Sequence, residues 1–156
     1  MMEGSRAVLR CVERVKETDS RGAGLLRSLL QTAERIALIN SNIELGLPLP
    51  GRFNDTQRYP DLNDLLLKRL MAIAEKVIEQ IRICLEEFEV GVKQMTKLSQ
   101  GHEGDELVVH SFGQEFWRKR QLLEGLLVTD SVSDIQSLIQ VWPLTCKHSF
   151  VSFAAE

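Results

Sequence analysis

Residues 60–98 read PDLNDLLLKRLMAIAEKVIEQIRICLEEFEVGVKQMTKL. Apolar side chains recur in this stretch at steps of three and four, which is the spacing of one helix face and not of a strand. The main apolar row consists of Leu62, Leu66, Leu70, Ile73, Val77, Ile81, Cys84, Phe88, Val92, Met95 and Leu98. A second row widens the stripe at Leu67, Met71, Ala74, Ile78 and Leu85. Because Pro60 suits a first helical turn, the stretch predicts one long helix over 60–98.

Such a helix would measure roughly 55 Å, which is longer than a compact domain of this size is wide. Its apolar stripe is also broader than the two-position seam of a simple coiled coil. We therefore expect other helices to cover it, some of which can belong to another chain.

The segments on either side of this helix are also helical in pattern. Residues 3–46 predict N-terminal helices, with an interruption at the sequence DSRGAG or, alternatively, a bend inside one longer helix. Residues 47–59 carry two prolines and predict a linker, and residues 106–143 predict two C-terminal helices. The run LVVHSF at 107–112 leans towards a strand but fits a helix start equally well, and the tail 144–156 has no clear pattern. The prediction is a single all-α domain over 1–156, an antiparallel helical bundle around one long central helix.

Composition narrows the classes of function. The chain has 156 residues, of which 44% are apolar and 26% charged, and its 19 basic and 22 acidic residues give a net charge of −3. This balance disfavours a nucleic-acid-binding protein, and no apolar run is long enough to span a membrane. Three widely spaced cysteines, Cys11, Cys84 and Cys146, indicate packing thiols in a cytoplasmic or nuclear protein.

The sequence carries no strong signal for catalysis or metal binding. His102, His110 and His148 are not spaced as a helical ligand pair, and Cys146 with His148 is too short a motif to stand alone. Nucleophile-elbow and phosphate-loop motifs are missing from the sequence. We therefore expect a protein that is not an enzyme and that uses no cofactor and no metal.

Several side chains are candidates for contact with a partner protein. The basic triplet at 118–120 could meet a phosphate backbone or an acidic partner, although such triplets usually coat a helix surface. The two tryptophans could be interface anchors, although each is more often a core residue. The glutamates around Phe88 are interpreted as a solvated helix face. The interface candidates are Phe88, Trp117, Arg118, Lys119, Leu122 and Trp142.

Four segments resemble one known family. RKRQLLEGLL at 118–127 and DIQSLIQVWP at 134–143 are similar to the C-terminal half of the AIRIM family of small ribosome maturation factors. YPDL at 59–62 is similar to the family's aromatic-Pro-Asp-Leu start of a long helix. LLRSLLQTAERIA at 25–37 looks like its upstream leucine-rich helix, and Cys11 falls where the family also has a cysteine.

This resemblance implies a function that helix periodicity alone does not reveal. Members of the AIRIM family pair with a small helical protein, CINP, and the pair docks on a hexameric AAA-type ATPase of the Spata-five class. The assembly acts in cytoplasmic maturation of the large ribosomal subunit and in clearing replisome proteins from chromatin. The implied partners are therefore the ATPase, a CINP-like protein and, indirectly, the pre-ribosomal particle, with no membrane and no sequence-specific nucleic acid.

Two alternatives belong to different classes. One is a homodimeric helical scaffold without ATPase association. The other is a nucleic-acid-binding module that uses residues 118–120, whose affinity would fall steeply with added salt.

Overall fold

The computed structural model describes residues 2–44, 62–100, 103–127 and 131–143. Four helices account for nearly all of them: α1 (Met2–Glu44), α2 (Leu62–Leu98), α3 (Glu103–Leu127) and α4 (Val132–Val141). The predicted all-α class is confirmed. The predicted linker 47–59 and tail 144–156 lie outside the described residues.

The predicted interruption at DSRGAG is wrong, and the alternative of one longer helix is right. α1 runs unbroken through Gly22 and Gly24. Two glycines in a helix interior cost roughly 1 kcal/mol each relative to alanine. Gly22 lies against the Trp142 indole, where an added Cβ would come 3.4 Å from the ring, so the missing side chain makes room for the tryptophan. Burial of Leu26 and Leu29 in the next turns favours continuation of the helix.

α1 and α2 form an antiparallel hairpin. The Cys11 thiol near the start of α1 donates to Gln94 Oε1 near the end of α2, at 3.9 Å. Further along, the Arg21 guanidinium pairs with the Glu87 carboxylate. α1 has 43 residues and α2 has 37, so the predicted single central helix is replaced by a pair of long helices of similar length.

The two shorter helices pack on opposite members of this hairpin. After a turn at 99–100, α3 begins at Glu103, three residues before the predicted start at 106, and the run 107–112 is helical. α3 returns along α2, with the Phe88 ring centroid 6.4 Å from the centroids of both Phe112 and Phe116. α4 contacts α1. Along the part of the hairpin that α3 and α4 accompany, a cross-section of the bundle therefore contains four helices.

The core fills only part of the hairpin. Buried side chains come from residues 8–32 of α1, from 77–99 in α2 and the turn after it, and from α3 and α4, a region that we call the closed end. In residues 33–44 of α1 and 62–76 of α2, which we call the open end, no residue is buried. The sequence of the open end is as apolar as that of the closed end, so the difference comes from the absence of a covering helix among the described residues.

Candidate interaction surfaces

The basic triplet at 118–120 is used mainly inside the chain. The Arg118 guanidinium makes two hydrogen bonds to the Glu115 carboxylate, at 2.8 and 3.2 Å. The same guanidinium donates to the backbone carbonyls of Val141, Trp142 and Pro143. Because the last carbonyls of a helix have no partners within it, Arg118 caps the C-terminal end of α4 and fixes α4 to α3.

Lys119 is the buried centre of a cluster that joins all four helices. Its ammonium pairs with the Asp19 carboxylate of α1. The Nζ atom lies 4.6 Å from the Trp142 ring centroid and 5.6 Å from that of Phe88, within cation–π range of both. Lys119 is fully buried and Asp19 nearly so, and a buried charge of this kind is stable only when it is paired.

Three of the six interface candidates therefore belong to the core. Phe88, Lys119 and Trp142 are buried against one another, so in this structure they offer no surface to a partner. Leu122 is half-buried and packs against the core, and Arg118 is only partly exposed. For the nucleic-acid alternative, this leaves Arg120 as the exposed member of the triplet, which is too little for a phosphate-binding surface.

Trp117 is different, because 58% of its surface is exposed. Its ring meets Phe116 edge-on at a centroid distance of 5.9 Å, and the Arg120 guanidinium lies 5.3 Å from the ring centroid. Leu107, which is 72% exposed, stands on the same side of α3 at helical spacing. We call the surface formed by Leu107, His110, Gln114 and Trp117 the Trp117 face.

A groove runs beside the Trp117 face between α2 and α3. It has a volume of about 510 Å³ and is lined by Val92 and Thr96 of α2 and by His110, Gln114 and Trp117 of α3. The Gln114 amide nitrogen lies 3.2 Å from His110 Nε2, which orders the rim. An exposed tryptophan beside a groove with mixed apolar and hydrogen-bonding walls is typical of a site that binds another protein.

A second groove marks the boundary between the closed and open ends. It has a volume of about 420 Å³ and is lined by residues of α1 and α2 together with Leu126 of α3 and Ile135 of α4. Its lining from α1 and α2 is mainly apolar, with Asn40 and Glu75 as polar members; the apolar residues include Ala33, Ile36, Ala37, Met71, Ala74 and Ile78.

The glutamates around Phe88 lie mainly on the exposed surface, as the sequence analysis proposed. Glu87 pairs with Arg21 across the hairpin, and Glu89 pairs with Lys93 one turn later at 3.1 Å. Glu86 is exposed. These groups solvate the outer face of α2 while Phe88 points inwards.

Cys11 and Cys84 are free thiols in the core, and Cys146 lies outside the described residues. Burial raises the pKa of the Cys84 thiol, and nearby Arg21 opposes that shift only in part. A buried thiol with a raised pKa is a poor nucleophile and a poor metal ligand in its protonated form.

The histidines and the lengths of the apolar helix faces bear on metal binding and on membrane insertion. His102 and His148 lie outside the described residues. Within the described ranges, no three His, Cys, Asp or Glu side chains are grouped in a way that could hold a metal ion. None of the four helices is long and apolar enough to cross a membrane.

Sequence reasoning missed the residues that complete the Lys119 cluster. Asp19 and Gly22 fall in the segment taken as an interruption, and the sequence has no signal that pairs Asp19 with a lysine 100 positions away. Glu115 was detectable, because its spacing of three from Arg118 is typical of a helical ion pair.

Comparison with models of known protein families, with curated proteins and with solved structures finds no match to this chain.

Proposed function

We propose that this chain is a noncatalytic helical adaptor that binds other proteins through the Trp117 face. The observation that supports this most directly is the exposure of Trp117 and Leu107 on one side of α3, since Trp is enriched among the residues that dominate binding energy. The exposed ring of Trp117 packs edge-on against the ring of Phe116, which is buried in the core.

The identity of the partner in this proposal rests on the resemblance of residues 118–127 and 134–143 to the AIRIM family. On that basis the partners are a hexameric AAA-type ATPase and a CINP-like small helical protein, and the process is large ribosomal subunit maturation, with replisome proteostasis as a second role. The adaptor would work in the cytoplasm and nucleus, and ATP hydrolysis would belong to the partner. Within the resembling segments, Arg118 and Trp142 build the fold, and Trp117, which directly precedes the first segment, is an exposed aromatic side chain.

The test is affinity purification of the tagged chain from nuclease-treated lysate, followed by mass spectrometry. We expect an AAA-type ATPase and a second small helical protein to co-elute in stoichiometric amounts. Trp117→Ala should reduce their recovery without changing the thermal midpoint, because the side chain is mostly exposed. Ile83→Ala is the matched control, since Ile83 is an exposed apolar residue on α2, outside the Trp117 face, and its truncation should leave recovery unchanged.

Recovery of the folded chain without any ATPase would contradict the proposal. The homodimeric scaffold alternative predicts that result together with self-association. A loss of recovery with Ile83→Ala equal to that with Trp117→Ala would contradict the assignment of the surface.

A further inference from the structure

A pocket lined by positive charges lies between the first turns of α1 and the last turns of α2, and we call it the basic pocket. It has a volume of about 340 Å³ and shares no lining residue with the groove beside the Trp117 face. Three cationic side chains lie around an apolar part of its lining: Arg10, Arg14 and Lys97, with Ala7, Cys11 and Leu98. Among the residues that the structure describes, no acidic side chain lines this pocket.

The cations of the basic pocket are not neutralised within the described part of the chain. Arg10, Arg14 and Lys97 are exposed, and none of them forms an ion pair with a described acidic residue. Arg6, which is also exposed, precedes Arg10 by one helical turn and extends the same row. Like charges at a spacing of four repel each other on a helix. An anionic group bound among these side chains would relieve that repulsion.

The positive surface is short, and its length helps to select the occupant. From Arg6 to Arg14 it extends about 12 Å along α1. The neighbouring groove, which shares Arg14, has Glu17 and Glu86 in its lining, so a long polyanion such as a nucleic-acid strand would meet these carboxylates. The lining of the basic pocket also contains no aromatic ring on which a base could stack. A short acidic peptide segment with an apolar side chain matches both the cations and the apolar lining.

The two longest segments outside the described residues fit the basic pocket less well than an acidic partner does. Residues 45–61 join Glu44 to Leu62, and Glu44 is about 45 Å along α1 from Arg14. A segment of that length, tied at both ends, extends at most about 30 Å. Residues 144–156 carry one acidic and one basic side chain, so they have no net negative charge to favour the pocket.

We propose that the basic pocket binds a short acidic segment of a partner protein. Carboxylates of that segment pair with the three cations, and an apolar side chain lies between them against the apolar lining. Charge-assisted hydrogen bonds from arginine to carboxylate supply both affinity and orientation. The inference goes beyond the adaptor proposal and does not rest on it, because the two surfaces share no residue.

Fluorescence anisotropy with the full chain and two labelled peptides tests this inference. The acidic peptide has about twelve residues, with leucine at helical spacing and glutamate elsewhere, and the amide peptide has glutamine in place of each glutamate. We expect the wild type to bind the acidic peptide and not the amide peptide. Arg10→Gln combined with Arg14→Gln should weaken binding about tenfold or more, because two charge-assisted contacts are lost.

A matched variant separates the pocket from the net charge of the chain. Arg27→Gln combined with Arg35→Gln removes the same charge from two exposed positions of α1 outside the basic pocket, and it should bind like the wild type. Circular dichroism should show the same helix content in both double variants, since all four arginines are exposed. Trp117→Ala should leave peptide binding unchanged, which distinguishes a failure here from a failure of the adaptor proposal.

Four results would overturn the inference. No binding of the acidic peptide to the wild type is the result expected if residues 144–156 fill the pocket. Equal weakening in the two double variants would mean that binding follows net charge. A single-stranded oligonucleotide that binds as tightly as the peptide, with the same loss on substitution of Arg10 and Arg14, would make the occupant a nucleic acid. Self-association of the wild type that this substitution abolishes would make the occupant a second copy of the chain.

Discussion

The closed and open ends are built from the same two helices and from similar leucine-rich sequence, yet they differ in how far their apolar side chains are buried. At the closed end, α3 and α4 bury side chains such as Leu26 and Ile81 completely. At the open end, comparable side chains stay accessible to solvent, such as Leu38, which is 58% exposed. The apolar face of a helix therefore shows which side chains favour burial. Contacts with other helices decide which of those side chains are buried.

The largest effect should come from the ion pair at the centre of the closed end. Lys119→Met leaves the Asp19 carboxylate nearly buried without its cation, which should lower the free energy of unfolding by about 3–5 kcal/mol. The exposed neighbour Arg120→Met is the control and should change stability by less than about 0.5 kcal/mol. Urea unfolding followed by circular dichroism measures both.

A double variant tells whether the cost comes from the orphaned charge. Lys119→Met combined with Asp19→Leu removes both charges and should recover most of the lost stability, since a buried pair is often replaceable by apolar side chains. If the double variant is as unstable as the sum of the two single variants, the pair is not the source of the effect.

Two leucines on α1 compare the ends directly. Leu26→Ala removes a fully buried side chain and should cost about 2–5 kcal/mol. Leu38→Ala makes the same chemical change at the open end and should cost less than about 0.5 kcal/mol in dilute protein. Equal losses in the two variants would mean that the open end is covered within the monomer.

Substitution of Gly91 tests how closely α1 approaches α2, and Gly113 on α3 provides the control. A Cβ at Gly91 would lie 2.5 Å from Val15 Cγ2, so Gly91→Ala should destabilise the chain by about 1–2 kcal/mol despite the better helix propensity of alanine. Gly113→Ala is the control, because a Cβ there meets nothing within 4 Å and should stabilise α3 by up to about 1 kcal/mol. Thermal unfolding of both variants provides the test, and a stabilised Gly91→Ala would contradict the close approach.

The smallest effect concerns pH. Burial raises the pKa of the Cys84 thiol above its ordinary value, so the unfolded chain loses this proton first as pH rises. The contribution of Cys84 to stability is therefore complete below the unfolded pKa of about 8.5 and declines above it. The stability difference between wild type and Cys84→Ala should shrink from about pH 8 to pH 10. An unchanged difference would mean that the thiol is not desolvated.

The sequence predicts the helices better than it predicts their arrangement. The long helix, the apolar row of α1 from Val8 to Val15 and the buried residues Phe112, Phe116 and Leu123 all follow from periodicity, because burial and helix spacing act on each segment separately. The continuity of α1 does not, since Gly22 is tolerated only because Trp142 lies against it. Gly22 and Trp142 are 120 positions apart, and no local sequence pattern predicts a contact over that separation.

Tertiary packing also decides which of the candidate interface residues are exposed and which are buried. Trp117 and Trp142 are chemically identical, and only the packing of α4 decides that one is exposed and the other buried. Arg118 and Lys119 are adjacent, yet successive helix positions point about 100° apart, so one reaches the carbonyls at the end of α4 and the other reaches Asp19. Sequence reasoning could single out this segment but could not assign a role to each residue in it.

Hydrogen exchange of backbone amides in dilute protein tests the difference between the two ends most directly. We predict strong protection in residues 8–32 and 77–99 and markedly weaker protection in residues 33–44 and 62–76, because amides in helices without buried contacts open more readily. Equal, strong protection of both ends in the monomer would contradict the account, since it would mean that the open end is already covered.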